Sequence, residues 1–198
     1  MSLEWAEINK EYTYKDYLKF PDDKRVEIIE GRIYDMSPSP SRIHQKVVME
    51  LAFSIENYLR TSKMPCEVYI APFDVIFIEE NQEIEESKSI VQPDIFVVCD
   101  KAKLTERGCM GSPDLIIEVV SPNNSSHDYI RKLHLYNRFK VKEYWIVNPQ
   151  TRDILVYRLN VEGEFGHPEY YTFSDKVKVR IFKDFEVDFN FIKDRLTQ

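Results

Sequence analysis

The order of apolar and polar residues along the chain predicts alternating helices and strands. Residues 41–61 carry apolar side chains at steps of four, which is the spacing of one face of an amphipathic helix. These positions are Ile43, Val47, Leu51, Ile55 and Leu59. A second amphipathic helix is predicted over residues 126–140, and a proline-containing loop is predicted at 37–41. Each helix must cover its apolar face with another layer of the fold.

Two nearly continuous apolar runs, at 91–99 and 114–121, have the length of strands. Strands of this composition are usually buried on both faces in the middle of a sheet. The glycines and proline of residues 100–113 predict a loop between them, and two β-branched runs around Gly31 predict a hairpin or bulged strand pair at 26–36. Further strands are predicted at 67–78, 143–147, 153–159, 169–173 and 177–182, and further helices at 13–20 and 188–196.

The composition fits one soluble α/β domain with a mixed sheet that spans residues 1–198. Its 43% hydrophobic residues suffice for a packed core, and there is no internal repeat or linker. The net charge of −7 argues against a protein that coats nucleic acid by general electrostatics. It does not exclude an enzyme that holds nucleic acid locally, because residues 131–142 are basic whereas 79–86 are acidic.

The cysteines and the termini indicate a compartment. Cys66, Cys99 and Cys109 are odd in number and have no CxxC spacing, which argues against a disulfide framework and a structural zinc site. No run approaches the roughly 18 apolar residues of a membrane span. The N-terminus lacks the pattern of a secretory signal. We therefore expect a cytoplasmic protein without a membrane partner.

Two carboxylates stand inside the apolar strands, Asp94 in QPDIFVV and Glu118 in LIIEVVS. A buried carboxylate is costly unless it has a cation or a hydrogen-bond network. One interpretation is a structural ion pair with a buried lysine or arginine. The other is a site for Mg²⁺ or Mn²⁺, because these hard cations prefer oxygen ligands that converge from neighbouring strands.

Lys132 supplies the cation that such a cluster needs. Helical projection of 126–140 places an apolar arc on one face, with Lys132 inside it. The arc consists of Tyr129, Leu133, Tyr136 and Phe139, whereas Arg131, His134 and Arg138 fall on the opposite side. The ammonium of Lys132 either faces Glu118 or extends to solvent along its aliphatic stem.

His44 and Glu30 are candidates of lower rank. The same projection turns His44 inward on the helix at 41–61, where it is either a satisfied core histidine or a ligand. Glu30 precedes Gly31 in the predicted hairpin and could reach the same site or remain solvated.

These segments resemble the Uma family of restriction endonucleases, a bacterial branch of the PD-(D/E)XK nuclease superfamily. The resemblance covers most of residues 12–185. It is carried by VEIIEGRIYDMSPSPSRIH (26–44), VQPDIFVV (91–98), SPDLIIEVVSPNNSSHDYIRKLHLY (112–136) and VKEYWIVNP (141–149). It implies a restriction-endonuclease-like fold, a central mixed β-sheet flanked by helices, and metal-dependent hydrolysis of phosphodiester bonds, with DNA the expected substrate.

The superfamily motif implies roles for individual residues. Pro93-Asp94 supplies its first half and Glu118-Val119 begins its second, but Val120 stands where the motif has lysine. By resemblance, Asp94, Glu118 and the backbone carbonyl of Val119 hold one or two Mg²⁺ or Mn²⁺ ions.

The missing lysine has precedents in the superfamily, where it can lie on a neighbouring helix. Lys132 would take that role here. His44 and Glu30 would contact a metal-bound water or act as a general base. Arg131, Arg138 and Lys140 would meet flanking phosphates.

Two functional readings remain open at this point. The first is an active nuclease that forms a homodimer, because double-strand cleavage needs two sites. The second is a nuclease-like binding or assembly module without chemistry, which the valine at 120 and the net charge of −7 favour. The presence of both carboxylates favours the first. The sequence leaves DNA and RNA as alternative substrates.

Overall fold

The computed structural model describes residues 10–21, 24–36, 40–120 and 126–196. Residues 1–9, on which the expectation about a secretory signal rests, and most of the predicted loop at 37–41 lie outside these ranges. The α-helices of the described residues are α1 (Tyr14–Tyr17), α2 (Arg42–Thr61), α3 (Ser126–Arg138) and α4 (Phe189–Leu196). Among the described helices, none has both the length and the apolar character needed to cross a lipid bilayer.

The strands of the described residues fall into two large sheets and a short pair. They are β1 (Val26–Ile29), β2 (Arg32–Asp35), β3 (Glu67–Ile70), β4 (Asp74–Phe77), β5 (Ser89–Val91), β6 (Ile95–Val98), β7 (Leu104–Thr105), β8 (Gly108–Met110), β9 (Leu115–Val119), β10 (Glu143–Asn148), β11 (Asp153–Arg158), β12 (Glu169–Thr172), β13 (Lys176–Lys178) and β14 (Glu186–Asp188). The first sheet has the order β2-β1-β5-β4-β8-β7, the second has the order β12-β11-β10-β9-β6-β3, and β13 pairs with β14.

The second sheet positions the candidate site residues Asp94 and Glu118. Its β9 and β10 run parallel, whereas β6 and β9 are antiparallel, so the predicted mixed sheet is confirmed. All side chains of β6 and β9 are buried, as their continuous apolar runs predicted. Alternate residues reach opposite faces of a strand. Ile95 and Ile117 therefore join the core with α2, while Phe96 and Ile116 join the core with α3.

The predicted strand at 67–78 is instead two strands in different sheets. β3 is an edge strand of the second sheet, while β4 lies inside the first sheet between β5 and β8. Pro72 lies between the two strands and has no backbone N–H to donate to a ladder. Apolar residues alternate on both sides of Pro72, so the sequence pattern predicted one continuous strand.

The predicted loop at 100–113 contains a small hairpin formed by β7 and β8. β8 also pairs parallel to β4, which extends the first sheet. Gly108 permits this pairing because a Cβ atom there would lie 2.6 Å from the backbone oxygen of Asp74. The glycine that favoured a loop is thus a site of close strand approach. The predicted strand at 177–182 is also shorter, and only its first two residues lie in β13.

Cys66 and Cys99 form a disulfide, so the expectation of no disulfide bond is wrong for this pair. The two residues flank β3 and β6, and the antiparallel pairing of Glu67 with Val98 brings them opposite each other. Neither the odd number of cysteines nor their local spacing reports a contact across 33 residues of sequence. Cys109 is a buried free thiol.

Candidate active site

The two carboxylates predicted from the apolar strands meet in the second sheet. Ile95 of β6 pairs with Ile117 of β9, so Asp94 and Glu118 are the next residues on the two strands at this end of the ladder. Glu118 is 6% exposed, whereas the Asp94 side chain, just before β6, is 21% exposed. One carboxylate is thus embedded in the sheet, while the other is accessible at the end of an interior strand.

Helix α3 places two polar groups on Glu118. The Nζ atom of Lys132 lies 3.0 Å from Oε1 of Glu118, and the hydroxyl of Tyr136 donates to the same oxygen at 2.8 Å. Residues four apart share one face of a helix, which explains why both reach the same carboxylate. Lys132 is only 6% exposed. Its side chain has the inward direction that the helical projection predicted.

Glu27 of β1 is a third carboxylate in this cluster, and it is not among the site residues predicted from the sequence. Its Oε1 lies 2.9 Å from Nζ of Lys132 and accepts a hydrogen bond from the backbone N–H of Gln92 at 2.9 Å. It is 5% exposed, in a strand whose four residues are all buried. The run VEII contains an acid among apolar residues, as LIIEVV does. The signal that identified Glu118 could therefore have identified Glu27.

The sequence left Glu30 either at the site or solvated, and the structure describes a solvated side chain. It lies in the turn between β1 and β2, where Glu30 and Gly31 both have positive φ values, 51° and 77°. The Glu30 side chain is 63% exposed and forms an ion pair with Arg138 at 3.2 Å. The strand carries Glu27 into the core, whereas the turn directs Glu30 to solvent.

His44 contacts Asp94 from the N-terminal turn of α2. Its Nε2 lies 3.2 Å from Oδ2 of Asp94, and the same oxygen accepts a hydrogen bond from the backbone N–H of Val119 at 2.8 Å. Burial alone would lower the pKa of His44. The hydrogen bond with Asp94 and the negative charges of Asp94 and Glu118 outweigh burial and raise the pKa above its ordinary value.

The basic residues proposed for phosphate contact are engaged with groups of the chain itself. The Arg138 guanidinium lies between Glu30, at 3.2 Å, and Glu79, at 2.6 Å. Lys140 donates to the backbone oxygen of Gly163 at 2.7 Å. The Arg131 guanidinium lies 4.5 Å above the centre of the Tyr34 ring. In this arrangement Arg138 and Lys140 meet protein oxygens where the sequence predicted substrate phosphates.

The cluster is short of positive charge. When all are ionised, Glu27, Asp94 and Glu118 carry three negative charges and Lys132 carries one positive charge. Protonation of His44 beside Asp94 adds a second positive charge, so the net charge is −2 with neutral His44 and −1 with protonated His44. The pKa of Glu118 is raised from 4.5 to about 7. Burial is the largest cause, the charges of Asp94 and Glu27 add to it, and Lys132 and Tyr136 act in the opposite direction. The buried carboxylate therefore has less positive charge nearby than its ionised form requires.

The donor atoms fit a Mg²⁺-type ion better than a zinc-type site. Among the described residues, no group of three or more His, Cys, Asp or Glu side chains is arranged to hold a metal ion. Within the same part of the chain, the hydrogen bonds to Asp94 reach Oδ2 and those to Glu118 reach Oε1, so each carboxylate keeps a second oxygen. Mg²⁺ is commonly bound through one or two carboxylates and keeps several waters.

Comparison with known proteins identifies a family and a fold. The family model described as "Uma2: Putative restriction endonuclease" matches residues 13–190. Two proteins of Synechocystis sp. (strain ATCC 27184 / PCC 6803 / Kazusa) are similar over most of their length. "Uncharacterized protein slr1290" is 25% identical over 88% of each chain. "Uncharacterized protein sll1609" is 23% identical over 91% of this chain and 94% of the relative.

A solved structure supports the fold. It is the crystal structure of "a putative nuclease belonging to DUF820" from Anabaena variabilis ATCC 29413, with a TM-score of 0.74 and 19% sequence identity. The match covers 93% of this chain and 99% of the other. The restriction-endonuclease-like fold expected from the sequence is therefore confirmed.

Proposed function

Because the chain belongs to the Uma2 family, whose model covers residues 13–190, we propose that it is a metal-dependent nuclease that hydrolyses phosphodiester bonds in DNA. The observation that carries this proposal is the buried cluster in which Asp94, Glu118 and Lys132 converge from two adjacent strands and a covering helix. A purely structural ion pair of Lys132 with Glu27 and Glu118 would not need Asp94 as a third carboxylate. The cluster keeps a net negative charge even when His44 is protonated, and a divalent cation would offset that charge.

Asp94 and Glu118, with the backbone carbonyl of Val119, would hold the ion. A bound Mg²⁺ or Mn²⁺ supplies a water of lowered pKa and neutralises charge on the phosphate. The contacts of His44 and the Val119 N–H fix Oδ2 of Asp94, which orients the other oxygen of that carboxylate. His44 is in this scheme a positioning residue for Asp94 and a candidate proton acceptor, held in a buried position beside that carboxylate.

Lys132 would replace the lysine that is absent at Val120. Its ammonium is held by Glu27 as well as by Glu118, at 2.9 and 3.0 Å. Glu27 therefore keeps the ammonium in the site when Glu118 turns an oxygen toward a metal. From that position Lys132 would orient the attacking water or stabilise developing charge on the phosphate oxygens. Glu27 acts in this scheme as a positioning residue for Lys132.

A titration with Mn²⁺ combined with a cleavage assay tests the proposal. Wild-type protein is expected to bind Mn²⁺, to melt at a higher temperature in its presence, and to cut plasmid DNA. Asp94→Asn is expected to lose all three properties. Glu80→Gln removes one negative charge at an exposed position and serves as the matched control. Unchanged Mn²⁺ affinity in Asp94→Asn would refute the metal assignment.

The same experiment distinguishes the hypothesis of an active nuclease from that of an inactive binding or assembly module. Metal binding without cleavage of DNA or RNA would favour a binding or assembly role, and the absence of any metal effect on melting would favour a structural ion pair.

A further inference from the structure

A groove of about 550 Å³ adjoins the candidate active site on the same end of the second sheet. Ile146 of β10 and Leu155 of β11 pair across the sheet and line it, and α3 borders it. Val120, two residues after Glu118, also lines the groove. The backbone N–H of the preceding Val119 donates to Asp94. The groove and the carboxylate cluster are therefore neighbours at the end of β9.

Aromatic side chains give this groove its chemical character. Tyr157 and Tyr170 line it together with apolar residues. The Tyr170 ring is 62% exposed, and its hydroxyl donates to Oδ1 of Asp153 at 2.5 Å, which restrains the ring. The pairing of Leu155 with Tyr170 sets the ring on β12 beside the apolar surface. An exposed ring held in place beside an apolar surface is a stacking platform.

The charges near the groove do not suit a phosphate backbone. None of the described residues that line it is lysine or arginine, and Asp153 is acidic. The chain as a whole carries −7, and Arg138 and Lys140 are engaged within the protein. Binding of duplex DNA depends strongly on phosphate neutralisation and counterion release. Stacking of bases on aromatic rings needs no such cations.

We propose that this groove binds an unpaired nucleobase of the substrate, so that the nuclease acts on single-stranded or locally unpaired nucleic acid. The proposal rests on the proposed function for its substrate but names a separate site. A base has an apolar face for the Tyr170 ring and polar edges for the hydrogen-bonding groups of Asn148 and Thr151 at the groove. The phosphate that follows it along the strand would then lie toward the carboxylate cluster.

Fluorescence anisotropy of labelled oligonucleotides without divalent metal tests the groove independently of cleavage. Wild-type protein is expected to bind an oligo-dT strand more tightly than either a duplex or an abasic strand with the same number of phosphates. Tyr170→Ala should weaken oligo-dT binding roughly tenfold, the loss typical of one stacked base. Tyr170→Phe keeps the ring and should retain most of the affinity. Phe191→Ala, at a 55% exposed aromatic on α4, is the control and should change nothing.

Equal binding of the abasic and oligo-dT strands, or unchanged oligo-dT affinity in Tyr170→Ala, would overturn the base site. A change from dimer to monomer in Tyr170→Ala with oligo-dT affinity retained would overturn it too, since the groove would then be an interface between two copies. Base-dependent binding by a protein that cleaves no nucleic acid would sustain the groove and refute only the nuclease.

Discussion

At the scale of single residues, Lys132 is the most informative position. Lys132→Met should reduce cleavage to background and keep Mn²⁺ binding, because both metal-binding carboxylates remain. Removing one partner from a buried ion pair costs about 3–5 kcal/mol, so circular dichroism must first show that the variant is folded. Arg131→Met, one residue along α3, should weaken DNA binding only slightly and in a salt-dependent way. Cleavage at the wild-type rate by folded Lys132→Met would refute the relocated lysine.

Glu118 should make stability depend on pH in an unusual direction. Its pKa is raised from 4.5 to about 7 in the folded chain, so the folded state favours the protonated carboxyl. Stability from this group is present below pH 4.5 and is lost as the pH rises toward 7. The loss relative to Glu118→Gln should reach roughly 3 kcal/mol. Urea denaturation of both proteins across this range measures it, and a constant difference between them would contradict the expectation.

Glu27 should influence both the metal and Lys132. Glu27→Gln keeps an oxygen that can accept from Lys132 and from the Gln92 N–H but removes one negative charge from the cluster. We expect Mn²⁺ affinity to fall and kcat to fall more than KM rises, because Lys132 is held less firmly. Calorimetry and steady-state kinetics measure the two effects. Glu30→Gln, three residues away and exposed, should behave as wild type.

At the scale of elements, the hairpin of β1 and β2 determines where the acids of this segment point. Its turn needs positive φ at Gly31, and a Cβ atom there would lie 3.2 Å from the Cβ of Glu11. Gly31→Ala should therefore cost about 1–2 kcal/mol of stability. Gly166→Ala, where an added Cβ would meet nothing within 4 Å, is the matched control and should be nearly neutral. Thermal denaturation of both variants provides the comparison.

At the scale of the whole molecule, we expect a homodimer with two-fold symmetry, the commonest arrangement for soluble oligomers. Two strands of a duplex require two sites for a double-strand cut. Sedimentation velocity at micromolar concentration measures the state of the protein. A strict monomer would contradict double-strand cutting but would remain compatible with nicking, or with the single-stranded substrate inferred from the groove beside α3.

The local order of residues determined the elements around the candidate site. Apolar runs identified β6 and β9 as central strands, and each run contained one of the acids, Asp94 and Glu118. The helical period gave the length of α2 and the inward direction of Lys132. These features depend on neighbours within a few residues, because a side chain's face follows from the geometry of its own helix or strand.

Only the tertiary structure decided which elements meet. The contact between Glu27 and Lys132 joins residues 105 positions apart, and β1 and α3 meet there because Ile29 and Leu135 belong to one buried apolar cluster. Glu27 rather than Glu30 therefore joins Lys132. The Cys66–Cys99 bond and the division of 67–78 between two sheets have the same origin. Periodicity reports the buried face of a strand, but the pairing between strands depends on the packing of the whole chain.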